Sequence, residues 1–149
     1  MTKNIPKKEK LVRVREYLKR NRLMTLGTSL NNKPWAATVF FAYDRNVNLI
    51  FYSREDTRHC EYIKKNPYVS VVVNHDWKER DGRVKGLQMT GRASKISKKD
   101  YRHYYALYRS RFRWADAFAS DHTLYVVKPI EVWHINQKLF GHFNRVRII

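Results

Sequence analysis

The chain has 149 residues, 43% of them hydrophobic and 14% aromatic, a composition that favours one folded domain over residues 1–149 and excludes global disorder. Its net charge is +18, and no apolar run is long enough to span a bilayer. No apolar segment follows the charged N-terminus, which argues against a secretory signal. Cys60 is the single cysteine and excludes an intrachain disulfide, so we expect a cytoplasmic protein.

The positive charge is concentrated in two segments. Residues 1–22 carry nine Lys or Arg against two Glu, and residues 98–113 carry six against one Asp. A field of this sign attracts nucleic acid, anionic lipid and phosphorylated small molecules alike. The charge therefore indicates an anionic partner without choosing among these classes.

The first predicted element is a basic amphipathic helix over Lys7–Arg20, within the basic segment 1–22. Leu11, Val14 (or Arg15) and Leu18 recur at three- and four-residue spacing, and Asn21 is a plausible stop. Such a helix can lie on a membrane or in a nucleic-acid groove. Because its apolar stripe is narrow, we favour a helix that packs on a sheet and keeps a solvated basic face.

Three short strands follow, joined by turns into an antiparallel meander. The pattern places them at Leu23–Ser29, Trp35–Tyr43 and Val47–Ser53, separated by a hairpin loop, Leu30–Pro34, and a turn, Asp44–Asn46. The middle strand is apolar on both faces, and a strand buried on both faces suggests a closed barrel with something packed outside it.

The rest of the chain alternates strands and helices. A strand is predicted at Tyr68–Asn74, a charged loop at His75–Arg83, and a long strand at Val84–Ile96 that bends at Gly86 and Gly91. A helix from Lys98 to about Arg113, two strands at Thr123–Lys128 and Ile130–Asn136 with a kink at Pro129, and a tail over 137–149 complete the chain; Trp114–Ser120 is unassigned. The predicted fold is mainly β, a six- to seven-stranded antiparallel barrel with flanking α-helices.

The segment Tyr52–Pro67 contains the strongest candidate site. A strand ends at Ser53, and a polar turn then ends at Asp56-Thr57, either of which can cap a helix that opens with Arg58-His59. Hydroxyls, a guanidinium and backbone N–H groups thus gather at one helix N-terminus, where an anion binds well. We interpret the turn as a phosphate site, although an ordinary capped helix is the commoner meaning of an isolated strand–cap–helix.

No catalytic or metal template is present. The sequence has no Gly-x-Ser-x-Gly elbow, Walker loop, His-Glu-x-x-His or Cys-x-x-Cys. Cys60 and His59 are adjacent in the predicted helix and point apart, so they make a poor nucleophile–base pair. Cys60 and Ile63 are expected to pack the helix on the barrel. If the protein is an enzyme, a bound cofactor should carry the chemistry.

Several motifs occur in a fixed order along the chain. Phe51-Tyr-Ser53, Thr57-Arg58-His59 and Asn66-Pro67 precede a β-branched strand, and Gln88 then lies three residues before Gly91. In this order and spacing the chain resembles, over roughly residues 10–136, the pyridoxamine 5'-phosphate oxidase-like, FMN-binding split-barrel proteins. It is similar in particular to a subgroup of small uncharacterised bacterial members.

The resemblance implies a homodimer with two FMN sites at the subunit interface. It assigns the end of the third strand and the helix start to the FMN phosphate, which are Tyr52, Ser53, Thr57, Arg58 and His59. It assigns the start of the second strand to the isoalloxazine ring and a neighbouring glutamine to the flavin or its ribityl chain, which are Ala36, Ala37, Thr38, Val39 and Gln88. Family members usually have Lys at the position of His59, and many have Arg near Trp35.

The C-terminal segment limits what the resemblance implies about activity. Trp133 matches the Trp-containing strand of true pyridoxamine-phosphate oxidases, but their Arg-x-His segment is absent. We therefore expect no activity on pyridoxamine phosphate itself. The resemblance instead implies an oxidoreductase whose FMN exchanges hydride with a nicotinamide or another small molecule.

Two other functions fit the sequence. The barrel could bind haem or deazaflavin without catalysis, with His122, His134 or His142 as the candidate axial haem ligands. It could also bind nucleic acid through the basic helices and their interleaved tyrosines, Tyr101, Tyr104, Tyr105 and Tyr108. Tyrosines at these spacings more often form a packed helix face, so we do not favour nucleic acid.

Overall fold

The computed structural model describes residues 4–76, 78, 83–142 and 144–149. In these ranges seven antiparallel strands form one sheet in the order β3-β2-β1-β4-β5-β6-β7, and pairing of β3 with β6 closes the first six into a barrel. The strands are β1 Leu23–Leu30, β2 Lys33–Tyr43, β3 Leu49–Ser53, β4 Tyr68–Asn74, β5 Lys85–Lys95, β6 Thr123–Asn136 and β7 Arg145–Arg147. The predicted barrel is confirmed, with β7 as an extra strand on β6.

The helices lie outside the barrel or across its ends. They are α1 Lys7–Arg20, α2 Arg58–Lys65, α3 Lys98–Arg111, a 3-10 helix Arg113–Phe118 and the single turn α4 Gln137–Phe140. None of these helices, among the residues described, has both the length and the apolar character needed to cross a membrane.

Two apolar clusters stabilise the structure. The first fills the barrel with fully buried side chains such as Leu26, Phe41 and Leu87. The second lies between the outside of the barrel and α3, where Tyr108 and Phe112 pack against strands β2, β3 and β6. The tyrosines of α3 thus belong to a packed face, as the sequence analysis favoured.

Helix α1 has the predicted limits and packs on the barrel through Val14 and Leu18, both wholly buried. The periodicity did not reveal Tyr17, which is buried beside them and donates its hydroxyl to the carbonyl oxygen of Val73 at 2.7 Å. Arg111 of α3 reaches the same, C-terminal part of the helix and donates to the carbonyl oxygen of Leu18 at 2.8 Å. The C-terminal part of α1 is therefore held by hydrogen bonds to β4 and α3.

The first hairpin turn is tighter than predicted. The loop expected over Leu30–Pro34 is a two-residue turn, because Asn31 and Asn32 adopt φ of 50° and 60°, the left-handed conformation that two-residue hairpins need. The strand after it consequently begins at Lys33.

The turn at Asp44 delays the third strand. The carboxylate of Asp44 accepts from the backbone N–H groups of Asn46 and Asn48 at 2.9 and 3.0 Å. The hydrogen bonds keep the buried Val47 at a φ of 63°, so the strand begins at Leu49 and not at Val47.

The two strands predicted around Pro129 are one continuous strand, β6. The register against β5 shifts between Thr90 and Gly91, so that Ile130 is an extra residue in β6 and the strand bends without ending. Strand β5 likewise continues through Gly86 and Gly91. Helix α3 ends at Arg111, two residues early, and the unassigned segment that follows is the 3-10 helix. The predicted loop His75–Arg83 falls partly outside the described residues.

The expectation that β2 is buried on both faces is wrong for its first half. Residues 33–36 are exposed, and Phe40 retains 42% of its accessible surface. In the second half, Phe41 is buried inside the barrel and Ala42 is buried beneath α3 and the elements near it. The described residues therefore leave an apolar part of the outer barrel surface uncovered.

Gly91 provides a test of how closely β5 and β6 approach each other. A Cβ at Gly91 would lie 2.7 Å from the Lys128 carbonyl oxygen and 2.8 Å from a Val127 methyl carbon, whereas at Gly86 the nearest atom would be 3.8 Å away. We expect Gly91→Ala to lower the free energy of unfolding by about 1–3 kcal/mol, as overpacking does. Gly86→Ala should leave it nearly unchanged. Equal urea midpoints for the two variants would contradict this account.

Candidate functional site

Three side chains meet where β3 runs into α2. The Ser53 hydroxyl oxygen lies 2.9 Å from His59 Nε2 and 3.4 Å from the Thr57 hydroxyl oxygen, and Thr57 Oγ1 lies 3.3 Å from the same ring nitrogen. Sequence reasoning had placed all three at one anion site, and the fold brings them into direct contact. The turn is thus a hydrogen-bonded cluster, which we call the hydroxyl–imidazole cluster (Ser53, Thr57, His59).

Thr57 is the residue that begins the helix. Its Oγ1 accepts from the backbone N–H of Cys60 at 3.4 Å and donates to the Arg54 carbonyl oxygen at 2.9 Å. Of the two candidate caps, the structure therefore selects Thr57. Cys60 and Ile63 point into the barrel core as expected, and this packing directs the N-terminus of α2 towards the end of β3.

His59 is turned into the protein. Only 8% of its surface is exposed, its ring packs 6.2 Å from that of Phe51, and burial lowers the pKa of the imidazole below 6.5. The ring is neutral at pH 7 for that reason. Its closest polar contacts among the described residues are the hydroxyls of Ser53 and Thr57, so the ring orients these hydroxyls.

Arg58 points the other way, towards solvent. Its guanidinium carbon lies 4.1 Å above the ring of Trp35 at the start of β2, and among the described residues it has no carboxylate partner. The neighbouring Arg54, in contrast, is paired with Asp56 at 2.6 Å. A cation stacked on an indole is held in place while its N–H groups stay available. No motif in the sequence indicates that Trp35 and Arg58 are in contact.

A groove of about 890 Å³ begins at Trp35 and crosses the outer face of the barrel. Small residues from four strands form its floor, and two aromatic rings and an aliphatic side chain border it. The floor residues are Gly27, Ala36, Ser70 and Gly91; the bordering residues are Trp35, Tyr68 and Ile130. A Cβ at Gly27 would lie 2.2 Å from the Ser70 hydroxyl oxygen, so a larger residue at this position would require the Ser70 side chain to rotate.

The remaining predicted ring contacts divide between two faces. Val39 packs against the barrel core and Ala37 shares its face, so their side chains point inwards, whereas Thr38 is exposed on the outer face. Cross-strand partners place Gln88 on that outer face too, in the row Thr38, Thr25, Val72, Gln88, Trp133. Thr38 and Gln88 are three strand spacings apart, about 14 Å at 4.8 Å per strand.

Tyr52, which the resemblance assigns to the phosphate, is poorly accessible. Tyr52 is 7% exposed and its hydroxyl, buried against α3, has no hydrogen-bond partner among the described residues. It lies in the cluster between barrel and helix, with its ring 6.0 Å from that of Tyr105. Its role is thus in packing, and an outer ligand at the start of α2 would meet Thr57 and Arg58 first.

The three histidines considered as haem ligands lie in different places. His134 is 1% exposed at one end of the barrel, and His122 is half-buried with its Nδ1 2.6 Å from a carboxylate oxygen of Asp121. His142 is exposed, with its Nδ1 3.2 Å from the side-chain nitrogen of Gln137. The fold does not bring them together.

The family model described as pyridoxamine 5'-phosphate oxidase matches residues 12–136. The chain belongs to this family. A UPF0306 protein of Pasteurella multocida (strain Pm70) is 27% identical over 124 residues, which cover 83% of this chain and 76% of that protein. The resemblance seen in the sequence is thereby confirmed.

Solved structures confirm the barrel fold. An FAD-binding protein from Mesorhizobium loti superposes with a TM-score of 0.70 at 18% identity, covering 84% of this chain and 91% of that one. HutZ, the haem storage protein from Vibrio cholerae, superposes with a TM-score of 0.74 at 18% identity, covering 87% and 95%. At this level of identity the likeness concerns the fold.

The buried His59 predicts a pH dependence of stability. Because burial lowers its pKa in the folded protein, the unfolded chain takes up the proton more readily as pH falls below 6.5. The contribution of His59 to the free energy of unfolding is therefore complete above pH 6.5 and decreases as pH falls towards the folded-state pKa. Urea unfolding between pH 7.5 and about 5 should show a shallower decrease for His59→Gln than for the wild type.

Glutamine retains a donor and an acceptor near the ring nitrogen but does not titrate in this range. His103→Gln, which removes an exposed imidazole from α3, is the matched control and should reproduce the wild-type slope. If the free energies of unfolding of His59→Gln and the wild type stay parallel across this pH range, the inference that His59 is buried and neutral is wrong.

Proposed function

We propose that this member of the pyridoxamine 5'-phosphate oxidase family binds FMN, with the phosphate at the start of α2 and the ring in the groove. The observation that supports this most is the stacking of Arg58 on Trp35. It places an unpaired cation between the hydroxyl–imidazole cluster and the groove. FMN consists of a phosphate and a flat ring joined by a flexible chain. It therefore needs an anion site and an apolar groove that lie next to each other.

The residues at the start of α2 fit a phosphate. The N–H groups of the first helical turn have no acceptor within the helix, and the helix dipole favours negative charge there. Thr57 supplies a hydroxyl, and Arg58 supplies a permanent charge with several donors. His59, neutral and buried, orients the hydroxyls and adds no charge, so Arg58 replaces on its own the pair of cations usual in the family.

The groove fits a ring system in size and chemistry. Its volume of about 890 Å³ lies within the 300–1,000 Å³ common for small-molecule sites. A floor of small residues lets a planar group approach the backbone, and Trp35 and Tyr68 offer apolar edges. Thr38 and Gln88 add polar contacts on the same outer face.

We further propose that a second copy of the chain covers the groove. Large apolar side chains are exposed along and beside it, namely Leu23, Trp35, Phe40, Tyr68 and Ile130, each between 39% and 56% exposed. An exposed apolar area of this kind marks an interface. Closure by a partner subunit would exclude water from the ring, as the dimer implied by the family resemblance requires.

A bound flavin would supply the hydride chemistry, with a nicotinamide or another small molecule as the second substrate. The chain itself then has to bind the phosphate, orient the ring and exclude water. No described side chain in the groove is a general acid or base, because the lining consists of small, hydroxyl and apolar residues. Catalysis would depend on positioning rather than on proton transfer by the protein.

Removal of Arg58 tests the phosphate site. We expect Arg58→Ala to weaken FMN binding roughly ten- to a hundredfold, the 1.5–3 kcal/mol of a hydrogen bond to a charged group. Binding of riboflavin, which has no phosphate, should change little. Flavin fluorescence titration of the purified protein measures both.

The matched control is Arg54→Ala, which removes an exposed arginine of the same turn that is already paired with Asp56. It should bind FMN like the wild type. Failure of the wild type to bind FMN or riboflavin refutes the proposal, and equal losses for the two ligands refute the assignment of Arg58 to the phosphate. Haem binding instead of flavin binding, seen as a Soret band, would support the alternative ligand.

A charge introduced in the groove tests the dimer. Ile130 is 46% exposed at the β6 bulge, so Ile130→Glu should be tolerated by the fold yet weaken a dimer that buries the groove, by at least tenfold. Val12→Glu, at a residue of α1 that is 38% exposed, is the control. Sedimentation velocity over a concentration series distinguishes them. A monomeric wild type, or equal effects of both substitutions, would contradict the proposed interface.

A further inference from the structure

A second cavity, independent of the flavin proposal, lies at the end of the barrel beneath α1. Its volume is about 290 Å³, and α1, the segment after β4, β5, β6 and α4 all contribute to its wall. We call it the His134 cavity, after the residue at its base. It shares no lining residue with the groove.

His134 is the first sign that this cavity has a ligand. The side chain is 1% exposed, lines the cavity, and has no hydrogen-bond partner for either ring nitrogen among the described residues. Its ring packs 5.6 Å from those of Tyr17 and Phe140, which fix its orientation. Buried polar atoms are normally paired, because an unpaired one loses its hydrogen bonds to water without replacing them. Two such atoms on one ring indicate that a group that bonds to them belongs in the cavity.

Arg13 is the second sign. Its Nε is also buried and has no hydrogen-bond partner in the described part of the chain; its side chain lines the same cavity, and its Nη2 is 2.7 Å from Glu9. A guanidinium Nε is only a donor. A group that bonds to this atom in the cavity must therefore accept a hydrogen bond.

The charges around His134 favour an anion. The cavity wall includes the cations Arg13, Arg20 and Lys85 and the carboxylates Glu16 and Asp76. Besides burial, Arg13 and Lys85 lower the pKa of His134 to about 4, so the imidazole is neutral at pH 7 and has one N–H to donate. His75 and Tyr17 also face the cavity, but their polar atoms contact the backbone oxygens of Lys85 and Val73.

We propose that the His134 cavity binds a small oxyanion, a carboxylate or phosphate group, which accepts hydrogen bonds from Arg13 Nε and His134. The volume admits a group of a few heavy atoms and lies just below the range of ordinary cofactor pockets. The site connects α1 with β6. Its occupancy therefore couples the N-terminal helix to the strand that closes the barrel.

Thermal unfolding with inorganic phosphate or acetate, at ionic strength matched with chloride, tests this. A ligand that binds only the folded state raises Tm saturably. We expect such a rise for the wild type, and none for Arg13→Gln or His134→Phe. Lys19→Gln, at an exposed residue of α1 outside the cavity, should behave like the wild type.

Imidazole nitrogen resonances of His134, followed by NMR in the same titration, locate the binding. A saturable shift that is lost in Arg13→Gln supports the proposal, and the comparison of phosphate with acetate identifies the preferred oxyanion. Equal Tm increases in Arg13→Gln and Lys19→Gln would reduce the effect to general screening of the +18 charge and overturn it. Unchanged His134 resonances at saturating anion would mean that water alone satisfies the ring, and would overturn it too.

Discussion

Hydrogen bonding between β3 and β6 is the constraint on which the rest of the structure depends. It pairs Leu49–Ser53 with Thr123–Val127 and leaves β3 with a neighbour on each side, so the strand has no edge along which it could slip. All five residues of β3 are buried, and Ser53, the last of them, pairs with Thr123. Helix α2 begins at Arg58, five residues after Ser53, so its start is held in place relative to the barrel.

Helices α1 and α2 contribute differently to the chain. Helix α2 sends Cys60 and Ile63 into the core and exposes the guanidinium of Arg58, so one short helix both packs the barrel and presents a cation. Helix α1 packs through Val14 and Leu18 while its basic residues remain largely in solvent. Helix α1 thus carries positive charge that its packing does not need. This charge bears on the partners of the protein and not on its fold.

Elements whose formation depends on residues close together in the chain could be predicted from the sequence. The periodicity of α1, the Thr57 cap and the β-branched run of β4 gave correct limits because these signals are local. Contacts between distant residues could not be predicted. Nothing near Arg58 in the chain indicates Trp35, and the inward turn of His59 depends on packing against Phe51. The Asp44 hydrogen bonds that hold Val47 at positive φ, and the bulge at Ile130, likewise depend on the assembled sheet.

The residues inside the barrel and the residues of the groove are under different constraints. Side chains such as Leu26, Phe41 and Leu87 determine whether the chain folds, whereas outward-facing groove residues touch only what lies outside. A substitution at one of the exposed residues that border the groove, Trp35, Tyr68 or Ile130, can therefore alter ligand preference at little cost to stability. The same barrel occurs in an FAD-binding protein of Mesorhizobium loti and a haem storage protein of Vibrio cholerae. A chain with this fold can therefore change its ligand through substitutions at the groove border while it keeps the core that folds it.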